Sequence, residues 1–522
     1  LTLKFRMSRS LLVKLFTVLC ITVTRGYMGI THTESFNYSV QMDNNGNYLL
    51  FWKLNDTHIT FEVHVKTYGY VGFGLSDNGN MYPADVVVGW VKNGIAHFKD
   101  GTIRLIYSYH PSDPASDDNL IYHGPEHRGT KSLSLLSVSS VPLARSSADQ
   151  GNIQTYDFLN GNFLIPTANT TYHCQGFRMP NIGGKRHMIK VEPIITPGNE
   201  MHVHHILIYR CKGIDPKFDG ISYMCYDEIP KELNPCYDVI IAWAIGGKSF
   251  YYPEHLGVSV GAPDDPDFYI METHYDNPVQ KSGMIDDSGI RITLTKNLRP
   301  KEADIMVLGH VENWSQIIPP FESAFLTRGY CPSQCIDHAL GNLTEIKVFG
   351  ILQHAHFLGR AITTRHFQNG TELLPLATDP NYDFNFQEIR LLRNEIAIKH
   401  GESFMVECTY DSTARITPTL GGPSTRDEMC LSYLLYYPKV DLKYCQSRPT
   451  YDSISNDQNY ISSLINTYNW TSPDTREMFK RKLRESSIIH DCRGDHMVPM
   501  VMKYTFHENA TNFVPLESPT CH

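Results

Sequence analysis

The sequence has no CxxC pair, no basic stripe, little helical patterning and, beyond its first two dozen residues, no apolar run fit to span a membrane. Each absence removes a class of function. Without CxxC pairs, a zinc ribbon or finger is excluded as the reason for twelve cysteines. The 46 basic and 55 acidic residues are interspersed and give a net charge of −9, so nucleic acid has no electrostatic footprint to bind. Without a later apolar span, no transmembrane anchor is expected in the mature chain. At 522 residues the chain exceeds one ordinary domain.

What is present points to export. From Met7 the chain reads MSRSLLVKLFTVLCITVTRG, a short basic start and a mostly apolar run, the pattern of a signal peptide over residues 7–26. Eight Asn-x-Ser/Thr sequons, at Asn37, Asn55, Asn169, Asn313, Asn342, Asn369, Asn469 and Asn509, fit a glycoprotein. Eleven cysteines follow the leader, and in an oxidising lumen they are expected to pair, leaving one over. The expected localisation is the secretory pathway: secreted, ER lumen or secretory vesicle.

Short strands with period-two alternation fill the rest. Residues 34–145 carry YLLFWKL, ITFEVHVKT, YVGFGLS and DVVVGWV between Gly, Asn and Asp turns. A polar Ser/Asp/Pro-rich stretch over roughly 111–150 leads to two further strand-rich blocks, 151–298 and 299–456. Residues 457–522 form a C-terminal extension, in which MFKRKLRESS is the clearest helical signal. The pattern predicts an all-β fold made of sandwiches.

Histidine carries the chemistry. Among 24 histidines, two groups sit inside apolar strand patterns: His202-Val-His204-His205 and Gln353-His354-Ala355-His356. On a strand, residues i and i+2 share a face, so His354 and His356 can hold one ion together. The same rule pairs His202 with His204, whereas the adjacent His204 and His205 can share an ion only at a twist or bulge. Spacing leaves both options open. His274 in METHYDNP and Met429 in EMCLSYLLYYP are further candidates. Imidazole with thioether suits soft Cu(I) better than zinc or iron. Histidines satisfied by ordinary protein partners, and a methionine packed in a core, are the plainer alternatives.

Four segments in order, HHILIYRC, METHYDNP, LQHAHFLGR and EMCLSYLLYYP, resemble the copper type II ascorbate-dependent monooxygenases, the family of dopamine β-monooxygenase and peptidylglycine α-hydroxylating monooxygenase. GGPSTRDEMCLSYLLYYP, AWAIGG and YDFNFQE are most similar to its dopamine-β-hydroxylase-like branch, and the likeness runs from about Tyr48 to Cys521. The resemblance implies a shortened N-terminal DOMON β-sandwich followed by two antiparallel, jelly-roll-like copper domains. It implies two separate coppers per subunit: an electron-transfer ion on His204, His205 and His274, and an oxygen-binding ion on His354, His356 and Met429. His202 becomes a neighbour. Tyr172 and His354 match the family's catalytic positions, and Tyr433 matches a tyrosine near the substrate. His173 stands where the family usually has tryptophan. Ascorbate is the implied electron donor. O2 and a small-molecule substrate are the implied partners, with one oxygen atom entering an activated C–H and the other leaving as water.

The resemblance also pairs Cys174–Cys225, Cys211–Cys236, Cys331–Cys445 and Cys408–Cys430, with Cys335–Cys492 following. Cys521 is left over and is free to link chains into a homo-oligomer. In relatives the DOMON sandwich continues for several strands and holds a partner cysteine. Here DVVVGWVKNGIAHF runs directly into KDGTIRLIYSYH, so strands and cysteine are both missing. An open edge and incomplete core are expected to destabilise that domain. Met81 is expected to serve packing or a loop rather than haem. Leu352 and Leu431 replace an arginine and an asparagine of the peptide-hydroxylating members, which points away from glycine-extended peptides and leaves an aromatic amine as the candidate substrate. The contrasting reading is an inactive secreted copper-binding or interaction protein that retains the fold.

Overall fold

The computed structural model describes residues 151–450 apart from 228, 229, 235, 246, 248, 381 and 386. It also describes 463, 465–494 and 500–504 and, before 151, residues 2–8, 16–22, 35–43, 45–54, 58–67, 71–76, 84–92, 95–99, 105–110 and 128–131. Met81 and Cys521 lie outside the described residues. The fold is all-β. The helical signal near the C-terminus forms Pro473–Glu485, capped by the Ser472 side chain and started by proline at its first position. Its buried Phe479 packs with Trp470 and Ile317. No described helix is long and apolar enough to cross a membrane.

Contacts divide the chain into two compact units: residues 1–145 with 390–394 and 517–522, and residues 146–389 with 395–516. In the first unit, one sheet runs Phe16–Thr22, Thr2–Ser8, His58–Val65, Tyr48–Leu54, Tyr38–Gln41. A second holds Arg128–Lys131, Leu105–Tyr109, Val71–Ser76, Ala84–Lys92 and Ile95–Lys99. The sheets meet through Phe61 and Phe73, with rings 5.2 Å apart, over a core that includes fully buried Trp52. Of the run expected to be a leader, Phe16–Thr22 forms one of these strands and Met7 and Ser8 end another. Its apolar, β-branched FTVLCIT is strand-compatible, and the His58–Val65 strand would otherwise present an unpaired edge.

The second unit holds two sandwiches. The strands that matter below are β1 (Thr170–Arg178), β2 (Val203–Cys211), β3 (Asp238–Ala244), β4 (Phe268–Asp276), β5 (Asp304–His310), β6 (Glu345–His354), β7 (Glu402–Tyr410) and β8 (Leu431–Tyr437). In the first sandwich, Ser222–Met224, β1, β4, β2 and β3 form one sheet in that order. It packs on a six-stranded sheet, where Phe158 meets Phe177 and Tyr269 at ring separations of 5.3 and 5.6 Å. In the second sandwich, β6, β8, β5 and Tyr444–Pro449 are consecutive in one sheet, and β7 lies in the other. Gly329 makes that sheet contact feasible, since a Cβ there would sit 1.9 Å from the Gly309 backbone.

A buried charge cluster ties the sandwiches together. Arg210 on β2 donates to Asp238 on β3 at 2.9 Å and reaches Asp304 on β5 at 3.5 Å, while Lys443 contacts Asp304 at 2.5 Å and Asp238 at 2.8 Å. All four side chains are at least nine-tenths buried. Two cations against two anions satisfy one another where water cannot reach.

Candidate metal centre

Strand register builds the first cluster. Across three neighbouring strands, Tyr172 on β1 pairs with His274 on β4, and His274 pairs with His205 on β2. Residues opposite one another in antiparallel strands share a face, so the three rings lie side by side. Tyr172 stacks on His274 at 4.4 Å and 5°, and His205 follows at 4.5 Å. The β2–β4 register shifts between Val203 and His205, which resolves the alternative that spacing left open. At that bulge two consecutive side chains escape strict alternation, and His204 turns in beside His205, with its ring 5.3 Å from that of His274. His202 lies outside the group and bonds the Asp276 carbonyl oxygen at 3.0 Å.

The second cluster is made differently. Strand alternation was expected to align His354 and His356, but β6 ends at His354, whose register partner is Leu431. His356 sits in the following turn, its ring 5.0 Å from that of His354 at 86°. Turn geometry, not the pleat, brings the two together. Met429 precedes β8, and its carbonyl accepts from Tyr410 on β7 at 2.6 Å. The next residue, Cys430, is bonded to Cys408 on β7.

His205 and His354 rings are 5.6 Å apart, so the five histidines form one continuous cluster where the sandwiches face each other. Phe384 is wedged between the sets, stacked on His204 at 3.7 Å and edge-on to His356 at 5.9 Å. The Tyr172 hydroxyl donates to the Pro423 carbonyl, crossing from one sandwich to the other. Thr170 meets Thr425 at 3.1 Å beside it.

Beside the cluster lies a cavity of about 260 Å³. His205, His354, Met429 and Tyr172 line it, as do Tyr433 and the substituted positions Leu352 and Leu431. Two acids also face it, Glu272 and Glu312. Burial pushes Glu272 up to about 7, against hydrogen bonds from Tyr226 at 3.1 Å and Tyr209 at 3.4 Å. Burial likewise raises Glu312, which accepts from Gln446 at 2.6 Å.

Three family models match the chain: copper type II ascorbate-dependent monooxygenase N-terminal domain over residues 156–282, its C-terminal domain over 301–458, and DOMON domain over 44–141. "DBH-like monooxygenase protein 1" of Mus musculus is 37% identical over 473 residues, covering 80% of this chain and 75% of the relative. The protein of the same name from Gallus gallus is 38% identical over 461 residues, with 78% and 74% covered.

The chain belongs to the copper type II ascorbate-dependent monooxygenase family.

A more distant relative, "Dopamine beta-hydroxylase" of Rattus norvegicus, is 31% identical over 484 residues, covering 83% of this chain and 77% of the relative.

The donor set fits the metal this family is named for. Burial holds all five imidazoles below their usual pKa, His204 at about 3, His354 at about 4 and the other three well below 6.5, so each is neutral with one lone pair to give. The His204 Nε2 proton goes to the Phe384 carbonyl oxygen at 3.3 Å, leaving Nδ1 buried without a partner. His205 and His274 approach Nδ1 to Nδ1 at 3.1 Å, and donor atoms of the three histidines lie within 4.8 Å of one another. In the second set, Nδ1 of His354 donates to the Gln387 side-chain oxygen at 2.6 Å and Nδ1 of His356 to the Asp427 carbonyl at 3.2 Å. Nε2 of His356 is left buried and unpartnered. Outer hydrogen bonds of this kind fix the tautomer and aim the free nitrogen, as metal-binding histidines require.

Sequence reading missed several contributors. Gln387 and Phe384 belong to YDFNFQE, noticed only as a point of likeness, and the Gln387 amide also donates to the Phe384 carbonyl at 2.7 Å. Tyr382 in the same segment bonds both backbone groups of Ala355, at 2.9 and 2.5 Å. Local spacing does not reveal the ties to Ala355 and His354, whose partners lie 27 and 33 residues away. His173 is accommodated rather than disruptive: it stacks on Phe163 at 3.8 Å and bonds Asn160 at 2.9 Å and Ser222 at 2.8 Å. Disulfides Cys174–Cys225, Cys211–Cys236, Cys331–Cys445, Cys335–Cys492 and Cys408–Cys430 brace the two sandwiches.

Proposed function

We propose that this chain is a secretory-pathway monooxygenase that hydroxylates an activated C–H of a small molecule, an aromatic amine, using O2 and ascorbate. In this reading residues 151–298 and 299–456 are the two copper-binding domains. His204, His205 and His274 hold one ion, and His354, His356 and Met429 hold the other. When bound, copper supplies one-electron redox chemistry and O2 activation.

The chain's own residues do the rest. Met429 and His354 open onto the same cavity as His205, so a bound substrate touches both ligand sets. Tyr172, buried against His274 and tied to Pro423, fixes the cavity wall. Its phenol stays protonated because burial raises its pKa well above 10. Tyr433 and Tyr226 present aromatic faces. The observation that carries the substrate reading is Glu272 with Glu312: two largely desolvated acids on one cavity whose lining holds no Lys or Arg, bonded by tyrosines and a glutamine, with neutral His205 at 3.9 Å from Glu272. An ammonium group satisfies such a site and a carboxylate-bearing peptide end does not. Leu352 and Leu431, both buried, offer that peptide end no partner.

The decisive measurement is O2 uptake and product formation by copper-loaded protein with ascorbate, across phenethylamines and glycine-extended peptides. The expected result is coupled hydroxylation of an amine that disappears in Met429→Ala. Uncoupled or absent turnover with every amine, despite bound copper, would sink the reading and leave an inactive relative. Among amines, Glu272→Gln is expected to raise KM about tenfold, near the ~1.4 kcal/mol of one lost charged contact.

A further inference from the structure

The ligand reading above leaves open what holds His356 and Met429 at a fixed span. Neither lies in a strand: His356 follows the end of β6, and Met429 precedes the start of β8. The β6–β8 ladder closes at His354–Leu431, two residues short of each. Beyond that point the connection runs through Glu428, whose side chain is fully buried. Its Oε2 accepts the backbone N–H of His356 at 2.9 Å and that of Met429 at 3.3 Å, and its Oε1 accepts the N–H of Leu358 at 2.5 Å. The backbone of Glu428 is itself fixed, donating to Leu420 at 2.8 Å and accepting from Gly422 at 3.2 Å.

We infer that Glu428 is the positioning residue of the second copper site: one carboxylate gathers the peptide groups of an imidazole ligand and a thioether ligand and sets the distance between them. The chemistry requires an acid. Three N–H groups converge on two oxygens, and a carboxylate is the one side chain with acceptors at both ends. Glutamine would replace one oxygen with an NH2 that faces an N–H, so at least one donor would be left buried without a partner. The first site has no such need, because its histidines are spaced by the β2–β4 register. Glu428 should therefore matter to one copper and not the other.

The inference rests on the ligand assignment, and the experiment separates the two. Copper-loaded, ascorbate-reduced full chain is examined by copper X-ray absorption, alongside copper content after dialysis, for wild type, Glu428→Gln and Glu428→Asp. Wild type is expected to show a sulfur scatterer and two coppers. Glu428→Gln is expected to lose the sulfur signal and bind the second copper on the order of 10–100-fold more weakly, the usual effect of an outer partner, while the first copper stays. Glu428→Asp keeps both oxygens but withdraws them by one methylene, and is expected to fall between. It is also the variant to read if Glu428→Gln does not fold. Sulfur scattering and copper retention equal to wild type in the folded variants would overturn the role of Glu428 alone. A wild type without sulfur scattering would overturn the Met429 assignment, and the positioning role with it.

Discussion

The two histidine clusters sit in sandwiches of the same class, yet they are assembled by different physics. In the first, Tyr172, His274 and His205 are cross-strand neighbours in one sheet, and a single bulge adds His204. Backbone hydrogen bonds that the sheet makes anyway also place these rings. In the second, only His354 lies in a strand, and the set is secured by ties from outside it: Gln387 on His354, Tyr382 on Ala355, Glu428 on His356 and Met429, the Tyr410 hydroxyl on Met429 and the Cys408–Cys430 bond. The lesson is that a register-built site is as rigid as its sheet. A turn-built site is as rigid as its outer contacts, and it can relax without the fold unravelling.

The largest expected effect tests whether the clusters are separate at all. His274→Ala and His356→Ala should each remove one copper, with affinity at that site falling more than the ~10–100-fold of an outer partner. Copper content and Cu(II) spectra after dialysis would show it. If each variant loses both coppers, the 5.6 Å approach of His205 and His354 has made one binding unit, and the comparison collapses.

Next comes the joint between the sandwiches. Lys443→Met leaves Asp238 and Asp304 buried with Arg210 and the partly exposed Lys439, 3.8 Å from Asp304, as their remaining cations. Breaking a buried pair costs about 3–5 kcal/mol, so urea unfolding should shift strongly. A shift under about 1 kcal/mol would mean the cluster is surface-like in its energetics.

A smaller effect belongs to the first sandwich. Burial holds His173 at about 4, below its ordinary 6.5, so the unfolded chain takes up the proton first. The stability His173 contributes when neutral is complete above pH 6.5 and is lost as pH falls toward 4. Between pH 7 and pH 5 that loss is about 2 kcal/mol, and His173→Phe should abolish it. Denaturant titrations at the two pH values, compared between wild type and variant, measure the difference directly. An unchanged difference would mean the proton is taken up elsewhere.

The smallest effect is a surface control. Arg178 bridges Asp219 and Asp267 at 2.8 and 2.7 Å on partly exposed side chains, and Arg178→Ala should cost at most about 1 kcal/mol. It should leave both coppers in place. A loss of either would show that the first sheet is less self-sufficient than its register implies.

The comparison also explains what could be read early. His204, His205 and His274 were legible as candidates because each lies in a strand whose alternation is visible, though spacing could not choose between His202 and His205. The bulge made that choice, and a bulge depends on the partner strand. His354 and His356 were legible as a pair, but for a reason the structure replaces, since β6 stops between them. Glu428, Gln387 and Tyr382 were illegible as contributors because their partners are distant in sequence. The apolar run from Met7 shows the same limit in reverse. Its composition suits both a leader and a strand, and here Phe16–Thr22 pairs with Thr2–Ser8, which in turn covers the otherwise open His58–Val65 edge.

By itself the sequence determined the all-β class and the chemical identity of the candidate donors, five imidazoles and a thioether. Period-two patterning is a local property, and soft-metal preference belongs to the side chains themselves. The tertiary structure alone decided which nitrogen each ring offers and which acids face the cavity. It also decided that both donor sets meet between the sandwiches. Those outcomes depend on burial and on hydrogen-bond partners contributed by remote segments, and neither exists until the sheets have packed.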